Sequence, residues 1–299
     1  MSKELSPVGE CCENRNHCDY FASKSLCKSL RSQGYFISSL ISASDCEELL
    51  ELYAETLEGP KEEFSLTAVH SSLETRRTVS DSIQRIIEKP LKRIVPGYEI
   101  SMIGLAAKQA CTSNATLPLH ADYRLRRLGE KPDGLVIWVA LDDVNVENGC
   151  MHLVPGSHRL DFNHIAAYPK NPSAFDFLDP LLVERLMKPL PMKAGEVLVF
   201  NEGLFHTTKE NAGDEVRVAL FGPMLPRGSK PVLYEWNEER PNWINLYQIS
   251  SDFLHRFRPE TLMDPTQMGA EFIARLPYHP RELSSDDISL LLGFPETGS

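Results

Sequence analysis

Between residues 98 and 225 the chain breaks into short β-rich runs closed by Gly, Pro or Asn, with no helical pattern between them. The clearest runs are 98–105, 135–141, 151–154, 197–200 and 216–221. Parallel strands need a long crossover, usually a helix, so this texture argues against a βαβ sheet and predicts an antiparallel sandwich or barrel. The flanks read differently. Residues 21–31 space Phe21, Leu26 and Leu30 as a helix ahead of Gly34, a suitable left-handed cap. Tyr35-Phe36-Ile37 reads as a short strand. Ser44-Asp45-Cys46-Glu47 then reads as a capping box for a helix carrying Leu49, Leu50, Tyr53 and Leu57, closed by Gly59. Further helices are predicted over 79–89, stopped by Pro90, and over 244–257 and 265–274. Residues 1–19 are polar and aperiodic and are expected to be disordered. The reading is one domain over 20–299, mainly β with flanking helices (α+β). Its β core lies at 98–225 and its helical flanks at 20–97 and 226–299.

Composition excludes several classes. Lys and Arg number 31 against 42 Asp and Glu, a net charge of −11, which argues against generic binding to nucleic acid or an anionic membrane. No run of 18 apolar residues exists, and no apolar h-region follows the start, so neither a membrane-spanning helix nor a secretory signal is predicted. The expected location is cytoplasmic. Seven cysteines, an odd number, then predict reduced thiols. Four of them (Cys11, Cys12, Cys18, Cys27) cluster near His17 but lack the paired knuckles of a structural zinc site. A loose segment followed by a helix that buries Cys27 is expected instead.

The chemistry begins at Leu117-Pro118-Leu119-His120-Ala121-Asp122-Tyr123. Residues two apart on an extended segment point to one face, so His120 and Asp122 present an imidazole nitrogen and a carboxylate oxygen side by side. A third ligand is offered by Gly195-Glu196-Val197-Leu198-Val199-Phe200-Asn201-Glu202-Gly203-Leu204-Phe205-His206, an apolar strand with His206 at its end. Two histidines and one carboxylate on one octahedral face form the triad of non-haem Fe(II) oxygenases, with three positions left open. Eleven residues on, Glu215-Val216-Arg217-Val218-Ala219-Leu220 sets Arg217 into a strand whose two faces both read as buried. A buried guanidinium must meet an anion. That anion is either a local Asp or Glu or a dicarboxylate cosubstrate, which a guanidinium clamps with two parallel bonds.

With these residues in place, the chain resembles the phytanoyl-CoA dioxygenase family of Fe(II)/2-oxoglutarate oxygenases. The residues that carry the likeness are His120-Ala121-Asp122, Trp138-Val139-Ala140-Leu141-Asp142-Asp143-Val144, and Glu147-Asn148-Gly149-Cys150 leading to Val154-Pro155-Gly156-Ser157-His158. Ala194-Gly195-Glu196, His206-Thr207-Thr208, Asn211 and Arg217 follow in order, and Gly34-Tyr35-Phe36-Ile37 precedes them. The likeness spans roughly 30–225. It implies a double-stranded β-helix (jelly-roll, cupin-like) core and an Fe(II)/2-oxoglutarate-dependent dioxygenase that consumes O2. It further implies iron ligation by His120, Asp122 and His206. Arg217 and Thr208 would hold the distal carboxylate of 2-oxoglutarate, with Trp138 lining that pocket and Lys108 near it.

Other residues in the stretch read as structural. His152 and His158 flank Pro155-Gly156-Ser157, a turn by its own backbone preferences, and Asp142-Asp143 closes a strand. His70, His164, His255 and His279 lack partner spacing. The expected reaction oxidises an aliphatic C–H, with hydroxylation as the default outcome. Three arginines, Arg124, Arg126 and Arg127, follow the metal pair; they are either a solvated loop paired with Glu130 and Asp133 or a grip on an anionic substrate. On the second reading the substrate is a small anionic or amino-acid-derived metabolite; an acyl-CoA, terpenoid or alkaloid is the alternative. A halogenase is disfavoured because Asp122 is present where that chemistry needs a small residue. A non-oxidative cupin-type barrel is disfavoured because no His-x-His pair surrounds His120.

Overall fold

The computed structural model describes residues 17–56, 63–113, 115–160, 184–236, 239–258 and 264–279. The expectations for residues 1–16, Gly59 and His164 fall outside them. A 3-10 turn, His17–Tyr20, replaces the end of the expected disordered segment. It folds back on helix α1 (Lys24–Gln33), and Cys18 is disulfide-bonded to Cys27 with the Cα atoms 5.4 Å apart. This corrects the expectation of reduced thiols: an odd cysteine total is blind to two thiols that a local turn brings together. Ser23 caps α1, Cys27 and Leu30 face the core, and Gly34 ends the helix at φ +89° with its N–H on the Leu30 carbonyl. A Cβ at Gly34 would stand 2.5 Å from His158 Nδ1, so glycine is required there for space as well as for φ.

Strand β1 (Tyr35–Ser39) leads to α2 (Ala43–Glu55). The capping box lies two residues earlier than expected: Ser42 accepts from the Asp45 N–H, and Asp45 accepts from the Ser42 N–H at 2.8 Å. Ser44 sits inside the first turn and cannot cap it. After β2 (Phe64–Leu66) and α3 (Thr67–His70), helix α4 (Leu73–Lys92) begins at the Ser72 cap, six residues before the predicted start. Its polar first turns carry no apolar periodicity, yet they hold Arg76, which is buried. That guanidinium donates to the carbonyls of Val69, Ser71, His255 and Phe257, tying α3 to the C-terminal flank. Pro90 falls inside the last turn and does not stop the helix before it, because one missing N–H there is tolerated while Arg93 N–H closes on the Pro90 carbonyl at 3.0 Å.

The remaining strands are β3 (Tyr98–Ile100), β4 (Gly104–Lys108), β5 (Leu117–His120), β6 (Leu135–Ala140), β7 (Met151–Leu153), β8 (Lys188–Leu190), β9 (Glu196–Asn201), β10 (His206–Thr208), β11 (Arg217–Pro226), β12 (Val232–Trp236), β13 (Trp243–Gln248) and β14 (Glu271–Pro277). One antiparallel sheet runs β1-β9-β6-β11-β4-β2, with β3 also on β11; a second runs β5-β10-β7-β8. From β4 to β11 the chain passes repeatedly between the two sheets, which makes a double-stranded β-helix. On the large sheet Leu105, Val139, Val197, Val199, Val218 and Leu220 face Leu49, Val79, Ile83 and Ile87 of the helices. Its other face, with Trp138, Leu198, Phe200 and Ala219, closes on Met151, Leu153 and Leu204.

Beyond residue 226 the predicted helices are replaced by a third sheet, β12-β13-β14, with a short helix α5 (Ser251–Arg256) and a 3-10 turn (Pro265–Met268). The sequence Trp243-Ile244-Asn245-Leu246 buries Ile244 and Leu246 alternately, a period of two that overlaps a helical spacing in so short a run. Ile83 is wholly buried, so Ile83→Ala is expected to destabilise the fold by about 2–5 kcal/mol in urea unfolding. Leu128→Ala, at a residue 56% exposed, should shift it by less than about 0.5 kcal/mol.

Candidate metal centre

Register, not sequence separation, assembles the site. β10 runs antiparallel to β5 with His206 directly opposite His120, and the two rings lie 4.2 Å apart. Asp122 stands two residues past the end of β5, its backbone N–H donated to the Glu202 carbonyl at 3.1 Å. His120 Nδ1 donates to the Pro118 carbonyl at 2.7 Å, and His206 Nδ1 donates to the Leu204 carbonyl at 2.9 Å. Each ring is thus anchored through Nδ1 on a carbonyl two residues earlier, which leaves Nε2 as the unprotonated, metal-competent nitrogen. One ligand atom from each of His120, Asp122 and His206 lies within 4.8 Å of the others, and no other such group exists among the described residues.

The electrostatics fit a dication. His206 Nε2 stands 3.7 Å from Asp122 Oδ2, and that oxygen is buried with no hydrogen-bond donor. Burial raises the Asp122 carboxyl to about 6 and lowers His206 to about 4. Both shifts express the cost of charge in a dry site, and a bound divalent cation reverses the first by supplying the missing partner.

On the facing sheet, Arg217 opens β11 opposite Lys108 of β4. It is 2% exposed, its Nε and Nη1 have no acceptor among the described residues, and its guanidinium lies 5.3 Å from the Trp138 ring. Burial lowers its pKa to about 10, which leaves it protonated at neutral pH. Thr208 Oγ1 is likewise buried without a partner. Of the two readings of a buried arginine, a local ion pair is not made among the described residues, so these orphaned donors fit a carboxylate from outside the chain. Lys108, expected near the cosubstrate pocket, stands beside Arg217 across the β4–β11 ladder. Its Nζ donates to the carbonyls of Ala115 and Lys209, and burial with Arg217 nearby lowers it to about 7.

The arginine patch also divides. Arg124 Nη1 stands 3.7 Å from Glu202, and Arg126, 9% exposed, stands 3.1 Å from Glu130, so two of the three proposed substrate contacts face acids of the chain itself. Arg127 is half-buried with no ion pair among the described residues. His152 is buried on β7 opposite Thr207, on the face away from His206, with Nδ1 on the Cys150 carbonyl. His158 lies in the turn Ser157–Arg159. Sequence reasoning missed Glu202, which is 3% exposed and raised to about 7 by burial. The available signal was an ionisable residue closing an apolar run four places before a ligand.

The family model described as phytanoyl-CoA dioxygenase (PhyH) matches residues 30–219. Dioxygenase lolE1 of Epichloe uncinata is 36% identical over 102 residues, 34% of this chain and 37% of that protein. Phytanoyl-CoA dioxygenase 1 of Oryza sativa subsp. japonica is 30% identical over 115 residues, 38% of this chain and 39% of that one. The chain thus spans little more than a third of the length of these curated relatives. Among solved structures, the non-heme alpha ketoglutarate dependent carbocyclase SnoK from nogalamycin biosynthesis superposes with TM-score 0.50 at 23% identity, over 71% of this chain and 88% of that one. HygX from Streptomyces hygroscopicus, with nickel, 2-oxoglutarate and hygromycin B bound, gives TM-score 0.50 at 14% identity over 74% and 92%. At these identities the structures speak for the jelly-roll fold. No helix among the described residues is long and apolar enough to cross a membrane.

Proposed function

The chain belongs to the phytanoyl-CoA dioxygenase family, and from that premise we propose that it is an Fe(II)- and 2-oxoglutarate-dependent oxygenase. His120, Asp122 and His206 would hold the iron; Arg217 and Thr208 would hold the distal carboxylate of 2-oxoglutarate, with Trp138 flooring the guanidinium. The observation that carries this is the pairing of a His-Asp-His cluster with Thr208 on the same sheet and Arg217 on the facing one, whose Oγ1 and whose Nε and Nη1 are buried without hydrogen-bond partners among the described residues.

The protein's part is positional. Two carbonyls fix both imidazoles in the ligating tautomer, and Asp122 supplies the single negative charge, so three ligands of the chain would hold the iron, and the cosubstrate and O2 would meet it from the open side. Iron and 2-oxoglutarate, when bound, supply oxidative decarboxylation to succinate and CO2 coupled to oxidation of a C–H bond. Arg217 gives the cosubstrate a fixed far end, and Phe200, packed edge-on against His206 at 5.0 Å, keeps water from that side of the ring.

The substrate of this reading is a small metabolite with an oxidisable aliphatic C–H. Of the expected anionic grip, Arg127 is the arginine whose charge no ion pair uses among the described residues. A pool of small metabolites incubated with the chain, Fe(II), 2-oxoglutarate and O2 should yield a product heavier by one oxygen, with one succinate per product. Against the true substrate, Arg127→Ala should raise KM about tenfold, the size of one charged hydrogen bond, and leave 2-oxoglutarate KM unchanged. Oxygen gain only in acyl-CoA, terpenoid or alkaloid pools would favour the alternative substrate class. A metal-binding barrel of the cupin type would release no succinate at all.

A further inference from the structure

Glu202 is a buried carboxylate between the loop that carries Asp122 and the strand that carries His206. It lies on the turn from β9 to β10, four residues before His206, with its side chain 4% exposed. Its backbone carbonyl accepts the Asp122 N–H at 3.1 Å, and its own N–H donates to Gly134 at 3.2 Å. Oε2 accepts the Leu125 N–H at 3.2 Å, and Oε1 stands 3.7 Å from Arg124 Nη1. Gly134 makes room for this carboxylate, since a Cβ there would come within 2.1 Å of Oε2.

The geometry matters because the ladder stops short of the metal carboxylate. β5 ends at His120, so Asp122 is outside the register that sets His120 against His206. From Asp122 to Leu125 the chain is held at both ends by Glu202, through one backbone and one side-chain bond, with Arg124 facing the same carboxylate between them. The residue that anchors this loop is covalently continuous with the strand that presents His206. Burying a carboxylate beside a guanidinium is costly as a way of gaining stability alone, since apolar side chains of the same size often serve better. It is suited to fixing one segment against another.

We infer that Glu202 is a positioning residue of the metal centre: its buried carboxylate, between Arg124 and the Leu125 N–H, sets Asp122 at ligating distance from His206. This rests on the reading of His120, Asp122 and His206 as a metal site. The test is a Co(II) titration of the purified, metal-free full chain, followed by the visible cobalt absorption and by the rise in melting temperature that bound cobalt produces. Glu202→Ala keeps the backbone bond to Asp122 and releases the loop at Leu125 and Arg124, so a loss of about tenfold in affinity is expected, the lower end of what losing an outer contact to a metal ligand costs. Glu202→Gln keeps an acceptor for Leu125 and loses the charge facing Arg124, so an intermediate loss, about threefold, is expected. Glu130→Ala, which removes the acid facing Arg126, should bind as the unaltered chain does.

A side chain that only packed would lower the melting temperature of the metal-free protein and leave cobalt affinity where it was. That result in Glu202→Ala overturns the inference. Should Glu202→Ala not fold, unaltered affinity and an unaltered cobalt spectrum in Glu202→Gln overturn it equally. Failure of the unsubstituted chain to bind cobalt would instead overturn the metal site itself.

Discussion

His206→Ala is expected to abolish succinate formation while the metal-free protein melts close to the unsubstituted chain. His206 would contribute a ligand nitrogen from the start of β10, whereas the sandwich is held by the apolar faces of its two sheets and by the helices packed on the larger one. Disturbing a mere outer contact to a metal costs about 10- to 100-fold, so removing a ligand should cost more than about a hundredfold in turnover. His120→Ala and Asp122→Ala are expected to behave alike. Asp122→Ala also removes a carboxylate oxygen that is buried without a donor, so its metal-free form should be no less stable. His152→Ala is the control: its ring faces away from the cluster and its loss should leave the metal bound. Activity above a few per cent in His206→Ala would require a different third ligand.

Arg217→Ala separates cosubstrate binding from metal binding. The guanidinium is buried, charged and partly without acceptors, so a carboxylate reaching it gains a desolvated, charge-assisted contact. Truncating one side of such a pair costs about 2–5 kcal/mol, at least a 30-fold rise in the 2-oxoglutarate KM. Arg217→Lys should recover only part of it, because an ammonium is a point charge and cannot form the two-pronged contact. Iron affinity should not move in either variant. If 2-oxoglutarate KM is unchanged in both, Arg217 is structural.

What was legible in the sequence was local or periodic. The β-rich texture between 98 and 225 named the sandwich, Gly34 ended α1 as its φ demands, and the spacing of His120 and Asp122 announced a pair that the structure does bring together, although β5 ends at His120. His206 was legible as the end of an apolar strand, though only the β5–β10 register shows that it stands opposite His120. What escaped was decided by tertiary pairing. The third sheet draws β13 into a ladder that its own spacing does not announce. Arg126 takes Glu130, one of the two local acids visible in the sequence, whereas the acid facing Arg124 is Glu202, 78 positions away, which no local signal announces. The Cys18–Cys27 bond depends on a turn hidden in an aperiodic segment.

The central claim is that one chain holds iron through His120, Asp122 and His206 while Arg217 orients a 2-oxo dicarboxylate on it. Its most direct test is an anaerobic titration of the Fe(II)-loaded protein with 2-oxoglutarate, read by the visible charge-transfer absorption of a 2-oxo acid chelated to Fe(II). The expected band saturates at one equivalent, is absent in His206→Ala, and in Arg217→Ala appears only at much higher 2-oxoglutarate. A chain that binds Fe(II) yet develops no band at any 2-oxoglutarate concentration would contradict it.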